Sequence, residues 1–221
     1  MICKKLCDKL SKYDLIVFDM DGTLYFQKSM QLRMGLKLLG HAVFHKGGAK
    51  DLKVILNYRK LREKWDSTKE ADDDALFEEL SKNSGKSSAQ IKETIDEWMF
   101  KIPLDIVKES RDSRLIETIG KLLEDGKKIC VYSDYAAADK CRAVGLAEDI
   151  RIYCCGDGNI RTMKPNPAGL NFILSQYPDV DKDKAIMVGD RKDRDGKAAE
   201  GAGIDSVILK RFKVGRKIYD I

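Results

Sequence analysis

Polar residues that could take part in catalysis follow the apolar segments of this 221-residue chain at the points where those segments end. In chain order they are Asp19, Asp21, Gly22 and Thr23, then Ser133 and Asp134, then Lys164, and finally Asp190 and Asp195. Clustered carboxylates repel one another unless a cation lies among them. Carboxylate oxygens in a chain with few histidines favour a hard ion, most simply Mg²⁺. A divalent ion beside a lysine and a hydroxyl group suits phosphoryl transfer, because catalysis of that reaction consists mainly of positioning and charge neutralisation.

The first pair of acids predicts a covalent reaction in two steps. A carboxylate at Asp19, with its charge offset by a metal ion, can attack phosphorus in line and form an aspartyl phosphate. Asp21, two residues further on, would protonate the leaving group and then take a proton from the attacking water. For the acid step we expect the pKa of Asp21 to be raised above its usual value of about 3.9. Gly22 would let the backbone turn sharply and present N–H groups to the phosphate.

The elements that must position these residues alternate between strands and helices. Short apolar runs with β-branched or aromatic residues predict strands at 14–19, 128–133, 150–154, 185–190 and 206–209. Helical spacing of apolar residues predicts helices at 112–124, 136–143, 167–176 and 196–202. This alternation is typical of an α/β fold with a parallel, doubly wound sheet. Ligands of such sheets bind beyond the carboxyl ends of the strands, where the polar residues stand.

One long interval after the first strand breaks this alternation. No convincing strand lies between about residues 25 and 106, and helical patterns occupy 49–65, 70–82 and 88–100. Ser87 and Ser88 are candidate helix caps, Gly85 is a candidate helix stop, and Pro103 marks the return to the sheet. The sequence therefore predicts a discontinuous Rossmann-like core, residues 1–24 and 106–221, and a helical domain at residues 25–105.

The polar segment ends resemble the four motifs of the haloacid dehalogenase-like (HAD) phosphohydrolase superfamily. In order, these are Asp19-Met-Asp-Gly-Thr23, Ser133 after a hydrophobic strand, Lys164-Pro165, and Gly189-Asp190 with a second acid at Asp195. The helical insert stands where many members carry a cap domain. The family's members that dehalogenate lack the second acid of the first motif, so Asp21 favours a phosphate substrate.

The resemblance implies a role for each matched residue. Asp19 would be the nucleophile and Asp21 the acid and base. Mg²⁺ would be held by Asp19, the backbone carbonyl of Asp21 and Asp190. The phosphoryl group would be bound by Ser133 and Lys164, with Gly22, Thr23 and Asp134 beside them. Asp195 would order the metal site or Lys164, although Asp193 could fill the same place.

These observations together predict an Mg²⁺-dependent phosphomonoesterase that resembles phosphoglycolate phosphatases and acts on a small phosphorylated metabolite. A phosphomutase using the same residues is the alternative. A phospho-acceptor signalling module is less favoured, because such domains are much shorter and have no large insert after the first strand. A catalytically silent scaffold is disfavoured by the intact acids at Asp19, Asp21 and Asp190.

Candidate substrate-recognition residues lie in or beside the insert. Its basic stretch is expected to be a solvated helix face, or alternatively to turn one or two of Arg33, Arg59 and Arg62 toward an anionic substrate. Tyr25 either shapes the leaving-group pocket or packs the joint to the insert. Asp193 and Arg194 are expected to be surface residues.

Composition limits the partners and the cellular setting. A net charge of +5, with 43% hydrophobic and 35% charged residues, is ordinary for a globular protein and too mild to indicate nucleic acid. The basic segment 210–217 is predicted to be a solvated edge. The chain has no apolar run of about 18 residues and no secretory h-region, so we expect no membrane partner and a cytoplasmic location. The six cysteines are expected to be reduced, and the protein to be a monomer or homodimer.

Overall fold

Five parallel strands form one sheet in the order β3-β2-β1-β4-β5. They are β1 Leu15–Phe18, β2 Lys128–Ser133, β3 Arg151–Cys154, β4 Ala185–Gly189 and β5 Asp205–Ile208. The computed structural model describes residues 2–209, with side chains from residue 5 onward, so the basic segment 210–217 lies outside the described residues. The strands agree with the sequence prediction to within one residue at either end. The predicted α/β fold with a parallel sheet is confirmed.

The central position of β1 determines where the chemistry can take place. All four of its residues are buried, and its last residue, Phe18, is in register with Val131 of β2 and Val188 of β4. The next residue, Asp19, still donates its backbone N–H to the carbonyl of Val188 at 2.8 Å. The ends of β1, β2 and β4 therefore meet at one edge of the sheet, with Asp19 between its two neighbours.

Helices cover both faces of the sheet and fill the interval after β1. They are α1 Ile2–Leu10, α2 Gln27–Phe44, α3 Gly48–Glu63, α4 Asp73–Ser84, α5 Ser88–Ile95, α6 Leu104–Glu109, α7 Ser113–Glu124, α8 Ala138–Val144, α9 Ala168–Ser175 and α10 Lys197–Ala202. Two short π-helical stretches, Asp96–Lys101 and Lys192–Gly196, and a 3₁₀ turn, Lys182–Lys184, complete the elements. Two hydrophobic clusters, one on each face, bury the sheet.

Residues 27–101, which we call the helical insert, have a hydrophobic cluster of their own. It joins α2, α3, α4 and α5 through residues such as Leu38, Tyr58, Phe77 and Ile91. Local sequence signals end and start the helices as predicted: Gly85 adopts a left-handed φ of 68° after α4, and Ser87 forms a capping box with Gln90 at the start of α5.

The helix α2 was not predicted, and the structure gives the physical reason. Its apolar residues are distributed around the helix, so that Leu38 is buried whereas Leu32 and Leu36 are exposed. No single apolar face marks it as amphipathic in the sequence. The helices α1 and α6 were also not predicted. The predicted helix at 88–100 is divided between α5 and the π-helical stretch after it.

Two further expectations concern the whole chain. The described cysteines Cys7, Cys130, Cys141, Cys154 and Cys155 are free thiols, as predicted for reduced residues. Within residues 2–209, no helix combines the length and the apolar character that crossing a membrane requires.

Asp51 links three parts of the helical insert, and its charge predicts a pH-dependent contribution to stability. It accepts a hydrogen bond from His41 of α2 at 2.8 Å and forms an ion pair with Lys86, which lies between α4 and α5. Partial burial raises the pKa of Asp51, but the hydrogen bonds from His41 and Lys86 outweigh burial and lower the pKa below its usual value.

We expect Asp51→Asn to reduce the free energy of unfolding by about 1 kcal/mol at pH 6. A carboxylate with a lowered folded-state pKa stabilises the fold above its unfolded pKa of about 3.9, and this stabilisation is lost as the pH falls through the folded pKa. The difference from the parent protein should therefore disappear near about pH 3. Urea unfolding at both pH values measures it, with exposed Glu78→Gln as the control. An equal loss at both pH values would contradict this role.

Candidate active site

A buried lysine joins two buried acids at the edge of the sheet. The Lys164 Nζ donates to Asp19 Oδ1 at 2.5 Å and to Asp195 Oδ1 at 2.7 Å. All three residues are buried. A fourth group, the Tyr132 carbonyl, lies 3.4 Å from the same nitrogen. Three segments far apart in the sequence, the ends of β1 and β4 and the loop after β3, therefore meet through one ammonium group.

Burial and neighbouring charges act on the protonation of this cluster in opposite directions. Burial raises the pKa of Asp19 well above its usual value, Lys164 opposes that rise, and Asp195 and Asp190 add to it. Burial lowers the pKa of Lys164, but the carboxylates of Asp19 and Asp195 outweigh burial and raise it. The raised pKa of Lys164 favours its charged form. The single charge of Lys164 does not neutralise all the carboxylates near Asp19, so their repulsion still raises the pKa of Asp19.

Three carboxylates lie close enough to share one cation. Oxygens of Asp19, Asp190 and Asp195 all lie within 4.8 Å of one another, the one such group among the described residues. Oxygen ligands of this kind fit a hard divalent ion. Asp195 is already held by Lys164 and accepts the backbone N–H of Arg191 at 3.0 Å. Two donors therefore hold the Asp195 side chain, which in turn fixes Lys164 beside Asp19.

The turn after β1 brings the backbone against Asp190. Gly22 has a φ of +95°, and a Cβ atom there would lie 2.2 Å from Asp190 Oδ2, so no other residue fits without displacing that carboxylate. The next residue, Thr23, is fully buried and donates its hydroxyl to Asp19 Oδ2 at 2.9 Å. The Thr23 side chain therefore orients Asp19, and the binding of phosphate by Thr23 stays a prediction.

Asp21 is held by two donors that the sequence analysis did not pair with it. The Lys140 Nζ lies 2.7 Å from Oδ1 and 3.0 Å from Oδ2, and the Tyr25 hydroxyl donates to Oδ1. Burial raises the pKa of Asp21, but Lys140 and then Tyr25 outweigh burial, and the pKa is lowered. The expected rise of this pKa is therefore wrong for the molecule in this state, because Lys140 stabilises the carboxylate.

Ser133 and Asp134, at the end of β2, line the same cavity in different ways. Ser133 is buried at the strand end, where its Oγ accepts the N–H of Tyr135 at 3.2 Å. Asp134 Oδ1 accepts the backbone N–H of Lys164 at 2.8 Å, and its Oδ2 lies 3.4 Å from Arg194. The Asp134 side chain thus positions Lys164 rather than facing an anion, which it would repel.

The structure separates the two acids that follow Asp190. Asp195 is buried against Lys164, whereas Asp193 is exposed and pairs with Arg191 at 2.7 Å. The surface prediction for Asp193 is therefore confirmed. The same prediction for Arg194 is wrong, because Arg194 lines the cavity and donates to the carbonyl of Glu63 at 3.1 Å.

A cavity of about 450 Å³ extends from the acids into the helical insert. The core side contributes the acids, Ser133, Lys164 and Lys140, and the insert side contributes mainly apolar residues of α2, α3 and the π-helical stretch after α5. All the predicted catalytic and metal-binding side chains therefore line one cavity.

The four predicted recognition residues divide into two groups. Tyr25 and Arg59 line the cavity. Arg33 does not, because it lies on the outer side of α2 and pairs with Glu109 at 2.6 Å. Arg62 does not either: it is buried, forms an ion pair with Asp73 and donates to the Asp134 carbonyl at 2.9 Å. For Arg33 and Arg62 the prediction of substrate contact is therefore wrong.

Lys140 was not predicted to belong to the site, and Arg194 was predicted to be a surface residue. Lys140 stands in the first turn of α8, directly after the loop that carries Ser133 and Asp134, which is a signal that could have placed it at the same edge of the sheet. Arg194 lies between two acids in sequence, where a lone arginine resembles a solvated charge. Its buried partners, the Asp134 carboxylate and the Lys164 carbonyl, belong to segments far from Arg194 in the sequence.

Comparison with known proteins adds a family and a shared fold. A family model described as haloacid dehalogenase-like hydrolase matches residues 13–203. The structure of a 2-haloacid dehalogenase from Pseudomonas syringae superposes with a TM-score of 0.63 at 22% identity, covering 92% of this chain and 91% of that one. YfnB from Bacillus subtilis, bound to magnesium, gives 0.61 at 16% identity over 90% and 89%.

A third similar structure is CbbY from Rhodobacter sphaeroides in complex with xylulose 1,5-bisphosphate. It superposes with a TM-score of 0.56 at 19% identity, covering 90% of this chain and 87% of that one. A search of curated protein sequences finds no match. At these identities the structural likeness establishes the fold.

The position of Arg62 predicts an effect on stability rather than on binding. Replacing Arg62 by methionine removes the ion-pair partner of Asp73, which keeps the Tyr58 hydroxyl as a donor, and removes the Arg62 donor of the Asp134 carbonyl. We expect the free energy of unfolding to fall by about 2 kcal/mol. Arg59→Met, in the cavity wall one turn earlier on the same helix, should change it by less than about 0.5 kcal/mol. Urea unfolding of the two variants compares them directly. Equal stabilities would refute the linking role of Arg62.

Proposed function

The chain belongs to the haloacid dehalogenase-like hydrolases, and on that premise we propose that it is an Mg²⁺-dependent phosphomonoesterase. The observation that carries the proposal is the cluster formed by buried Asp19 and Lys164 with the partly buried Asp190, which all line the cavity. Two acids beside a lysine can hold a cation and a phosphoryl group together. Asp21, the second acid of the first motif, lines the same cavity.

In the first step the Asp19 carboxylate attacks phosphorus and the bond from phosphorus to the leaving oxygen breaks. The leaving oxygen takes a proton from Asp21 and departs as an alcohol. Lys164 and Ser133 bind the phosphoryl oxygens during the transfer. Thr23 holds Asp19 in its rotamer by the hydrogen bond to Oδ2.

In the second step a water molecule loses a proton to Asp21 and its oxygen attacks the phosphorus of the aspartyl phosphate. The bond between phosphorus and Asp19 breaks, which releases inorganic phosphate and restores both carboxyl groups. The ion pair with Lys140 favours the ionised form of Asp21, and that form suits this step. The first step needs Asp21 protonated, so the Lys140 contact must loosen before it.

Asp19, the backbone carbonyl of Asp21 and Asp190 would hold the Mg²⁺, and Asp195 would fix Lys164 beside it. The ion supplies positive charge that offsets the repulsion between the phosphoryl group and the acids. The oxygen-rich cluster and its excess of negative charge support this assignment.

In this proposal residues 25–105, which include the helical insert, form a cap domain, and residues 1–24 and 106–221 form the core. The insert's own hydrophobic cluster and its position over the acids support that division. A cap that closes over the cavity excludes bulk water while the first step takes place. The substrate is a small phosphorylated molecule bound between the two.

We expect hydrolysis of an aryl phosphate in the presence of Mg²⁺, with loss of activity on chelation by EDTA and recovery when Mg²⁺ is returned. Asp19→Asn should lower kcat by at least about 1,000-fold, since the amide cannot act as the nucleophile. The release of inorganic phosphate measures the reaction. Robust turnover by Asp19→Asn would exclude the covalent mechanism. A product with the phosphoryl group moved to another hydroxyl, without phosphate release, would indicate a mutase.

The two acids after Asp190 provide a matched pair of variants. Asp195→Asn weakens the hold on Lys164, and we expect kcat/KM to fall roughly 100-fold. Asp193→Asn changes an exposed residue that pairs with Arg191 in its own turn, and the variant should stay within about twofold of the parent enzyme. If the two variants lost activity equally, the assignment of Asp195 as the supporting acid would fail.

A further inference from the structure

We propose that the leaving group of the substrate is a hydrophobic alcohol, so that the enzyme acts on phosphate monoesters with an extended apolar chain or ring system. This inference rests on the proposed phosphomonoesterase function and specifies its substrate class. The inference is based on the cavity wall, whose lining residues become less polar with distance from the acids.

One wall of the cavity is the helix α2, and its polarity falls along its length. The helix begins two residues after Tyr25, which donates to Asp21. The polar residues that line the cavity, Gln27 and Gln31, lie in its first turns, whereas Leu38 and Leu39 line the cavity further on. At about 1.5 Å per residue, Leu39 lies roughly 18 Å from Gln27 along the axis.

The opposite wall is α3, and it shows the same change in the reverse chain direction. Its C-terminal residue Glu63 accepts a hydrogen bond from Arg194 of the core, and Arg59 lies one turn earlier. Further from the core the lining residues are Ile55, Leu56 and Leu52. On both walls the polar lining residues therefore lie beside the phosphate end, and the lining farther from it is apolar.

The remaining wall extends the apolar end of the cavity. Trp98, Met99 and Phe100 of the π-helical stretch line it, and the Trp98 ring lies 4.8 Å from the ring of His41 in the last turn of α2. Methionine and aromatic side chains bind apolar ligands of varied shape. Apart from the Trp98 indole N–H, the hydroxyl groups of a polyol at this end would face side chains without strong hydrogen-bonding groups, which is costly on burial.

The mouth of the cavity is apolar as well. Leu39 and Leu56 both line the cavity, yet they are 56% and 54% exposed. Large apolar side chains left exposed beside a cavity are typical of a ligand-binding surface. A chain longer than the cavity would cover these two leucines, whereas a two- or three-carbon phosphate would leave them and most of the 450 Å³ unused.

The test is a series of n-alkyl phosphates from ethyl to octyl, below their micelle-forming concentrations, with Mg²⁺ and the full-length enzyme. We expect kcat/KM to rise about fourfold for each methylene that enters the apolar end, which follows from roughly 0.8 kcal/mol per buried methylene. Glycerol phosphate, with polar groups in place of that chain, should be a poorer substrate than butyl phosphate. A flat or falling series would overturn the inference.

Two exposed leucines in the mouth and one outside it give matched variants. Leu39→Gln and Leu56→Gln should each lower kcat/KM for octyl phosphate about tenfold, and reduce the gain per methylene. Leu36→Gln is the control, because Leu36 lies on the same helix with 65% exposure but does not line the cavity. It should retain the parent chain-length dependence. If Leu36→Gln lost octyl phosphate activity equally, the mouth would have no special role and the inference would be refuted.

Failure of this inference is distinct from failure of the proposed function. Hydrolysis of ethyl and glycerol phosphates at rates equal to octyl phosphate would leave the phosphomonoesterase in place and refute the hydrophobic substrate class. Absence of phosphate release from every ester, including the aryl phosphate, would refute both.

Discussion

The contact of one buried lysine with two buried acids is the constraint on which the site depends. Charges in an interior are costly unless they are paired, and Lys164 lies within hydrogen-bonding distance of both Asp19 and Asp195. Three further hydrogen bonds hold these groups in place. The Thr23 hydroxyl donates to Asp19, and the Arg191 backbone N–H donates to Asp195. The Lys164 backbone N–H donates to the Asp134 carboxylate. With Asp190 included, three carboxylates face one ammonium group, and the remaining negative charge is what makes the cluster suited to a divalent cation.

Much of the core could be predicted from the sequence because its signals are local. A buried strand is a short apolar run, and the rule that parallel strands end at one edge was enough to bring Asp19, Ser133 and Asp190 together. The partners of Asp21 and the role of Arg62 could not be predicted in this way. They depend on long side chains from α8 and α3 that reach across the fold, and spacing along the chain carries no record of those contacts.

The helices of the insert could also be predicted only where their sequence signals are local. The helices α4 and α5 have clear caps and could be placed, whereas α2 has apolar residues on several sides and was not recognised. The structure gives that distribution a reason. Leu38 packs inside the insert and also lines the cavity, and Leu39 lies at the cavity mouth, so a helix that serves both a core and a ligand surface lacks one clean apolar face.

In the proposed mechanism the Asp19 carboxylate, which Lys164 holds, becomes covalently attached to the phosphoryl group. Acid quenching during turnover of an aryl phosphate, followed by proteolysis and mass spectrometry, identifies the residue that carries that group. We expect a phosphoryl group on the peptide containing Asp19, and specifically on the Asp19 side chain. A phosphoryl group on Ser133 or on any other side chain would contradict it.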